Sequence, residues 1–168
     1  MPEHELIDGD RRIQFIGVEL GRATSDDGDA LRWTEVAIYR TESGTYLTTK
    51  IGRSVVFHRV DGPCTRGAET AISEAMRDPR HAELVGCPLC WPDADVALTD
   101  LGESGIIRLE RDIHSTHIAD TASGAIATLY RRDENGTRYL IKVARDALAT
   151  AIQQDVDLRT AAQVEYVN

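Results

Sequence analysis

The chain has 168 residues, a formal net charge of −9 and 42% hydrophobic residues. That length suits one domain with a self-supporting core, and the negative charge excludes a general nucleic-acid-binding surface. No apolar run approaches the ~18 residues of a transmembrane helix, and a composition with nineteen alanines but two phenylalanines predicts a lean core.

Residues 1–11 are polar, are expected to be frayed, and lack the apolar stretch of a secretory signal. Residues 12–20 carry Ile13, Phe15, Ile16, Val18 and Leu20 and read as a strand. A loop over 23–29 follows by turn chemistry, acidic from Asp26 to Asp29. Residues 33–40 alternate, with Val36 and Ile38 on one face and Trp33, Ala37 and Tyr39 on the other. Glu42-Ser43-Gly44 predicts a hairpin turn, with the returning strand over 45–51. Val55, Val56 and Phe57 favour a further strand over 54–60.

Asp61-Gly62-Pro63 breaks the chain. Ala68, Ala71, Ile72, Ala75 and Met76 have the spacing of an amphipathic helix that ends at Asp78-Pro79. Residues 81–105 read as irregular. Residues 106–118 read as one long strand with Ile107, Leu109 and Ile113 inward. Glu134-Asn135-Gly136 predicts a second hairpin between strands over 125–131 and 137–143. Ala144, Ala147, Leu148, Ala151 and Ile152 then repeat the helical stripe, and the tail over 156–168 is ambiguous.

The two halves share a pattern. Tyr39-Arg40, Gly44-Thr45, Tyr46-Leu47 and Lys50-Ile51 are matched by Tyr130-Arg131, Gly136-Thr137, Tyr139-Leu140 and Lys142-Val143, each block leading to an alanine-rich helix. This reads as an internal duplication over about 12–80 and 106–155, joined by the irregular segment 81–105. The competing reading is two ordinary hairpins that share residue types by propensity. The expected fold is a single α+β domain over 1–168: an antiparallel sheet from two related hairpin-plus-helix units, with a zinc knuckle inserted in the first.

Cys87-Pro88-Leu89-Cys90 is the sharpest motif. Such a turn aims two thiolates at one point, and it resembles, over four residues, the knuckles of zinc-ribbon-like proteins. Cys64 supplies a third thiolate, and His58 stands six residues before it on a predicted strand. The pairs His58/Cys64 and Cys87/Cys90 form a closed, structural Cys3His zinc site, with His81 the alternative fourth ligand. A redox pair wants a helix N-terminus that Trp91-Pro92-Asp93 does not provide. Three inert buried thiols are the plainer alternative.

Asp112, His114 and His117 suggest a second metal site, but a strand places His117 on the opposite face from the other two. The ordinary reading is polar residues on a half-exposed strand. Neither a phosphate-binding loop, a nucleophile elbow nor a zinc-protease helix is encoded. Only Lys50 and Lys142 are lysines, an arginine bias that points to a high-GC bacterium or its phage. The expected function is therefore a non-enzymatic, zinc-stabilised protein-interaction or regulatory module of the cytoplasm. Its expected partner is a protein, a second copy of itself included, rather than nucleic acid or membrane. The alternatives are a metal-dependent hydrolase using Asp112, His114 and His117, and an acidic mimic of nucleic acid that inhibits a nucleic-acid enzyme.

Overall fold

The structure, a computed structural model, describes residues 1–165. In chain order its elements are β1 (Glu3–Asp8), β2 (Arg11–Thr24), β3 (Arg32–Thr41), β4 (Tyr46–Ser54), β5 (Val56–Arg59), β6 (Ala68–Ala71), α1 (Ile72–Ala75), β7 (Val85–Gly86), a 3-10 turn (Leu98–Leu101), β8 (Ile106–Leu109), β9 (Ile113–Ala119), α2 (Ala122–Leu129), β10 (Arg131–Arg132), β11 (Arg138–Tyr139), α3 (Lys142–Gln154) and α4 (Val156–Glu165). The fold is α+β, with mostly antiparallel sheets and short helices. No helix among the described residues is long and apolar enough to cross a membrane. Two compact units are formed: residues 28–32 with 53–112 make one, and the remaining segments make the other.

The larger unit is built on a five-stranded sheet of order β1-β2-β3-β4-β9. The sheet curls until its two outer strands meet. The Gly9 amide donates to the His114 carbonyl at 3.0 Å, the Thr116 amide to the Asp8 carboxylate at 3.1 Å, and the Thr116 hydroxyl to the Ile7 carbonyl at 2.9 Å. Alternation on β3 then serves two cores. Ala37 and Tyr39 face an inner cluster with Leu6, Ile13, Phe15 and Leu47, while Val36 and Ile38 face the helices with Leu20 and Tyr46.

The N-terminal segment is thus not frayed. Leu6 is buried, and β1 pairs along its whole length with β2, from Glu3 opposite Ile16 to Asp8 opposite Arg11. His4 stacks on Phe15 with ring centroids 5.2 Å apart. Ring burial and a hairpin supply what a run of charged residues conceals.

Helix α3 follows its predicted stripe, burying Ala144, Ala147, Leu148 and Ala151. The small residues matter because a β-bulge at Leu20 brings Gly21 directly under the helix. A Cβ at Gly21 would lie 2.3 Å from the Ala147 carbonyl oxygen and 2.8 Å from the Ala151 amide nitrogen. A lean core is compensated here by close backbone approach, which increases contact density without large side chains. The ambiguous tail forms α4 as far as Glu165, and 166–168 lie outside the described residues.

The smaller unit has a four-stranded sheet of order β6-β8-β5-β7, antiparallel except for the β5–β7 pair. Phe57, Ile72, Ala75, Leu84, Leu98, Ile107 and Leu109 fill its apolar side.

The structure corrects several expected elements. Residues 68–71 are a strand, with Thr70 opposite Ile107, and only Ile72–Ala75 is helical. Alanine favours a helix, and pairing along β8 overrides that preference. The expected long strand over 106–118 is two strands, one in each unit, interrupted at residues 110–112. Ile107 and Leu109 are inward, but Ile113, beyond the interruption, is 75% exposed. The expected strand over 125–131 is largely helix α2, capped by the Thr121 hydroxyl accepting from the Gly124 amide. The Asn135-Gly136 hairpin does form, but each strand is two residues long.

The equivalence expected of the two halves is not found. Tyr39 lies on a central strand with its ring buried, whereas Tyr130 follows helix α2. Tyr46 is buried and Tyr139 is 41% exposed. The first alanine-rich stripe is half strand and the second is a full helix. The shared Tyr, Gly and Thr reflect turn and strand propensity, and the two-unit repeat and its knuckle insertion find no support.

Two consequences can be measured. Asp155 is buried before α4, accepting from the Leu158 amide at 2.8 Å, Arg40 at 2.7 Å and the Tyr46 hydroxyl at 3.0 Å. Burial pushes its carboxyl pKa up, but these donors outweigh burial and hold it below the ordinary value. Its stabilisation is therefore fully present above the unfolded pKa of roughly 3.9 and is lost as pH falls through the lower native value. Asp155→Ala should lower stability by about 2–3 kcal/mol near neutrality through loss of the cap and orphaned donors, with the gap to the parent closing in strong acid. Urea unfolding across that range checks both. Gly21→Ala should cost about 1–3 kcal/mol because α3 must move, and the same measurement reads it.

Candidate metal centre

Strand β5 alternates across the smaller sheet, so Phe57 enters the apolar core and Val56 and His58 share the other face. The parallel register sets Val56 beside Val85 and Phe57 beside Gly86, which carries Cys87 to the level of His58. The Cys87 amide donates to the Phe57 carbonyl at 2.9 Å and locks that position. The chain then turns tightly: the Cys90 and Trp91 amides both donate to the Cys87 carbonyl at 3.0 Å. Gly86 admits this turn, since a Cβ there would lie 2.8 Å from the Trp91 ring.

The third thiol arrives by a second turn. After β5 the Gly62 amide donates to the Arg59 carbonyl at 3.2 Å, reversing the chain toward Cys90. A Cβ on Gly62 would sit 3.0 Å from the Cys90 sulfur. Cys64 follows two residues later, half-buried against Val56, Cys87 and Cys90.

His58, Cys64, Cys87 and Cys90 therefore converge, with one ligand atom from each lying within 4.8 Å of all the others. This group can hold a metal ion. The Cys64 and Cys87 sulfurs are 3.8 Å apart, and the Cys90 sulfur is 3.7 Å from His58 Nδ1. A tetrahedron with metal–sulfur bonds near 2.3 Å has edges of roughly 3.8 Å. A disulfide would need sulfurs about 2.05 Å apart, and all three cysteines are free.

The electrostatics favour a cation. Burial pushes the Cys64 thiol up to about 11, and the neighbouring Cys87 and Cys90 sulfurs add to the shift. Cys87 is held below the ordinary thiol value: burial raises it, but the backbone amides of Cys90 and Leu89 aimed at its sulfur outweigh that. One thiolate is thus stabilised by the turn itself, and the next is opposed by the first. A bound cation removes that opposition.

His58 is only 1% exposed and its orientation is fixed from behind. Its Nε2 donates to Glu110 Oε1 at 2.6 Å, which leaves the Nδ1 lone pair facing the sulfurs. Glu110 also receives Arg32 through two nitrogens and the Ser54 hydroxyl at 2.6 Å. Burial alone would raise the Glu110 carboxyl; Arg32, His58 and Ser54 outweigh it and hold it at about 2. A carboxylate orienting a ligating imidazole is the usual second-sphere arrangement of a metal site.

Sequence reasoning did not find Glu110, Arg32 or Ser54. Glu110 is 52 residues from His58 and 78 from Arg32, and no local spacing links them. His81, the alternative fourth ligand, is exposed in the turn after Asp78 and outside the group. Among the described residues, Asp112, His114 and His117 form no second metal-binding group. Asp112 is engaged by Arg53 and Arg80, both at 2.8 Å.

No family model matches the chain, and neither a curated protein nor a solved structure is significantly similar to it.

Glu110→Gln keeps the shape of the carboxylate but loses its charge. It should weaken metal binding by about 10–100-fold. Competition with a chromogenic chelator reads this, and an unchanged affinity would confine Glu110 to a packing role.

Proposed function

We propose that the protein is a non-enzymatic, zinc-stabilised module whose work is interaction with another protein. The observation that carries this reading is the ligand set itself: three thiols and one imidazole converge in tetrahedral spacing, with His58, Cys87 and Cys90 buried. Sulfur-rich tetrahedral sites favour zinc among common metals, and four protein ligands leave no position for water or substrate. Such a site contributes folding free energy rather than chemistry. The smaller unit has reason to need it, because residues 60–67 and 87–97 carry almost no regular structure.

The hydrolase alternative loses its residues, since Asp112 is committed to two arginines and the histidines assemble with no third ligand among the described residues. A protein partner is favoured by apolar side chains left outside, with Leu89 at the tip of the knuckle 71% exposed and Ile118 on β9 54% exposed. Such residues are where association gains free energy.

Protein purified without chelator should carry about one zinc per chain, and stripping it should lower the melting temperature. Cys87→Ser and Cys90→Ser should each destabilise far more than His114→Ala, by metal-linked folding energy against the small cost of a strand-surface change. Metal analysis and thermal unfolding of the three variants check this. Finding no zinc, or a second exchangeable ion that supports ester or phosphoester hydrolysis, would overturn the reading.

A further inference from the structure

The larger unit contains a cleft of about 220 Å³ whose chemistry differs from the rest of the acidic chain. The outer face of β4 and β9 forms one wall. There Thr48 stands opposite His117, and Lys50 opposite Ser115. The other wall is the end of α2, the start of β10 and the start of α3, which bring Leu129, Arg131 and Ile141. The buried lining is mixed, Val36 and Ala144 with Thr48 and Thr49, and the rim carries the cations Lys50 and Arg131.

The placing of its charges sets this rim apart. In the same unit Arg12, Arg22, Arg40 and Lys142 meet carboxylates, and the cations that meet none among the described residues, Arg132, Arg138, Arg145 and Arg159, do not line this cleft. Lys50 and Arg131 meet none among the described residues, although acids outnumber bases in the chain. Two uncompensated cations held at one opening, in a molecule with excess carboxylate, create a local positive potential that an anion would relieve. The Ser115 hydroxyl and the His117 imidazole add polar groups from the strand wall. Ile141, the N-cap of α3, provides no side-chain acceptor to the first-turn amides, so that end adds to the same sign of field.

We propose that this cleft binds a phosphate group, with Lys50 and Arg131 as its charged contacts and Ser115 and His117 as hydrogen-bond donors. Cations and donors that converge from three chain segments suit a tetrahedral anion with several oxygens better than a planar carboxylate. The volume limits the occupant to inorganic phosphate or the phosphate end of a small ester. The apolar side chains of Leu129 and Ile141 in the cleft wall favour the ester. The inference uses none of the metal-centre residues, so it stands or falls apart from the zinc reading.

The test is a titration of the full-length, metal-replete protein with inorganic phosphate and with phenyl phosphate, followed by backbone amide NMR shifts. Both probes should give saturable shifts centred on Ser115, Leu129 and Arg131. Lys50→Met keeps the apolar stem and removes the charge; it and Arg131→Ala should each weaken binding by about tenfold or more. Arg12→Ala, which removes an exposed paired arginine, should leave binding unchanged. Circular dichroism of each variant confirms that the fold persists. Tighter binding of phenyl phosphate identifies an ester as the occupant, and equal affinities identify free phosphate. Absence of saturation with both probes, or equal weakening by Arg12→Ala, overturns the proposal.

Discussion

The smaller unit is organised around one buried carboxylate. Glu110 is 8% exposed and ionised, and a charge taken out of water must be met by partners or it neutralises. Arg32, Ser54 and His58 meet it, and these residues come from two separate stretches of chain, 28–32 and 54–58. Holding the carboxylate thus draws residues 28–32, the end of β4 and strand β5 to one point. It also decides how the imidazole turns. With Nε2 committed to Glu110, Nδ1 has its lone pair available to the sulfurs, and the ligand set is arranged before any ion arrives.

How much of this was legible depends on the range of the interaction. Cys87-Pro88-Leu89-Cys90 declares itself because both thiolates are set by one turn, and Cys64 and His58 could be added because few other soft ligands exist in the chain. The Glu110 network is long-range and carries no periodic signal. In the larger unit, the hairpin at Glu42-Ser43-Gly44 and the stripe of α3 were readable from turn chemistry and spacing. Helix α2 was readable too: Ala122, Ala125, Ile126 and Leu129 follow the i, i+3, i+4, i+7 pattern, and Thr121 is a good cap. The Asn135-Gly136 hairpin signal masked it by claiming 125–131 as the strand before the turn. Strand β1 was hidden for another reason. Its outward residues are charged, and only Leu6 and the stacked His4 show which face turns inward.

Alanine explains both a success and an error. On α3 it permits a helix to lie almost on the backbone of Gly21, so small side chains become a packing device. At Ala68 and Ala71 the same residue favours a helix, and pairing with β8 imposes a strand against that preference. A chain with few large apolar residues thus gains cohesion from backbone proximity where a glycine receives a helix, and from buried polar anchors where it does not. Asp155 in one unit and Glu110 in the other are such anchors, each buried, each held below the ordinary carboxylate range, and each bound to an arginine.

The charge arithmetic at the metal centre links its two halves. Three thiolates exceed the charge of one divalent ion by one, and Glu110 adds another negative charge behind His58. Arg32 is the compensating cation: its hydrogen bonds to Glu110 hold its pKa above the ordinary value, and the charges at Cys87 and Cys64 add to that. A bound ion and Arg32 would therefore act on the same negative cluster from opposite sides of the imidazole. The ion would offset most of the sulfur charge while Arg32 offsets the carboxylate, with His58 between them. Without an ion, Arg32 alone faces both groups, and burial with the neighbouring sulfurs holds the Cys64 thiol above its ordinary value. Without Arg32, Glu110 is left buried and incompletely paired, and its hold on His58 is the contact most exposed to failure. Metal binding at this group and the arginine–carboxylate pair would in this sense be one device, and His58 is the residue placed to serve both.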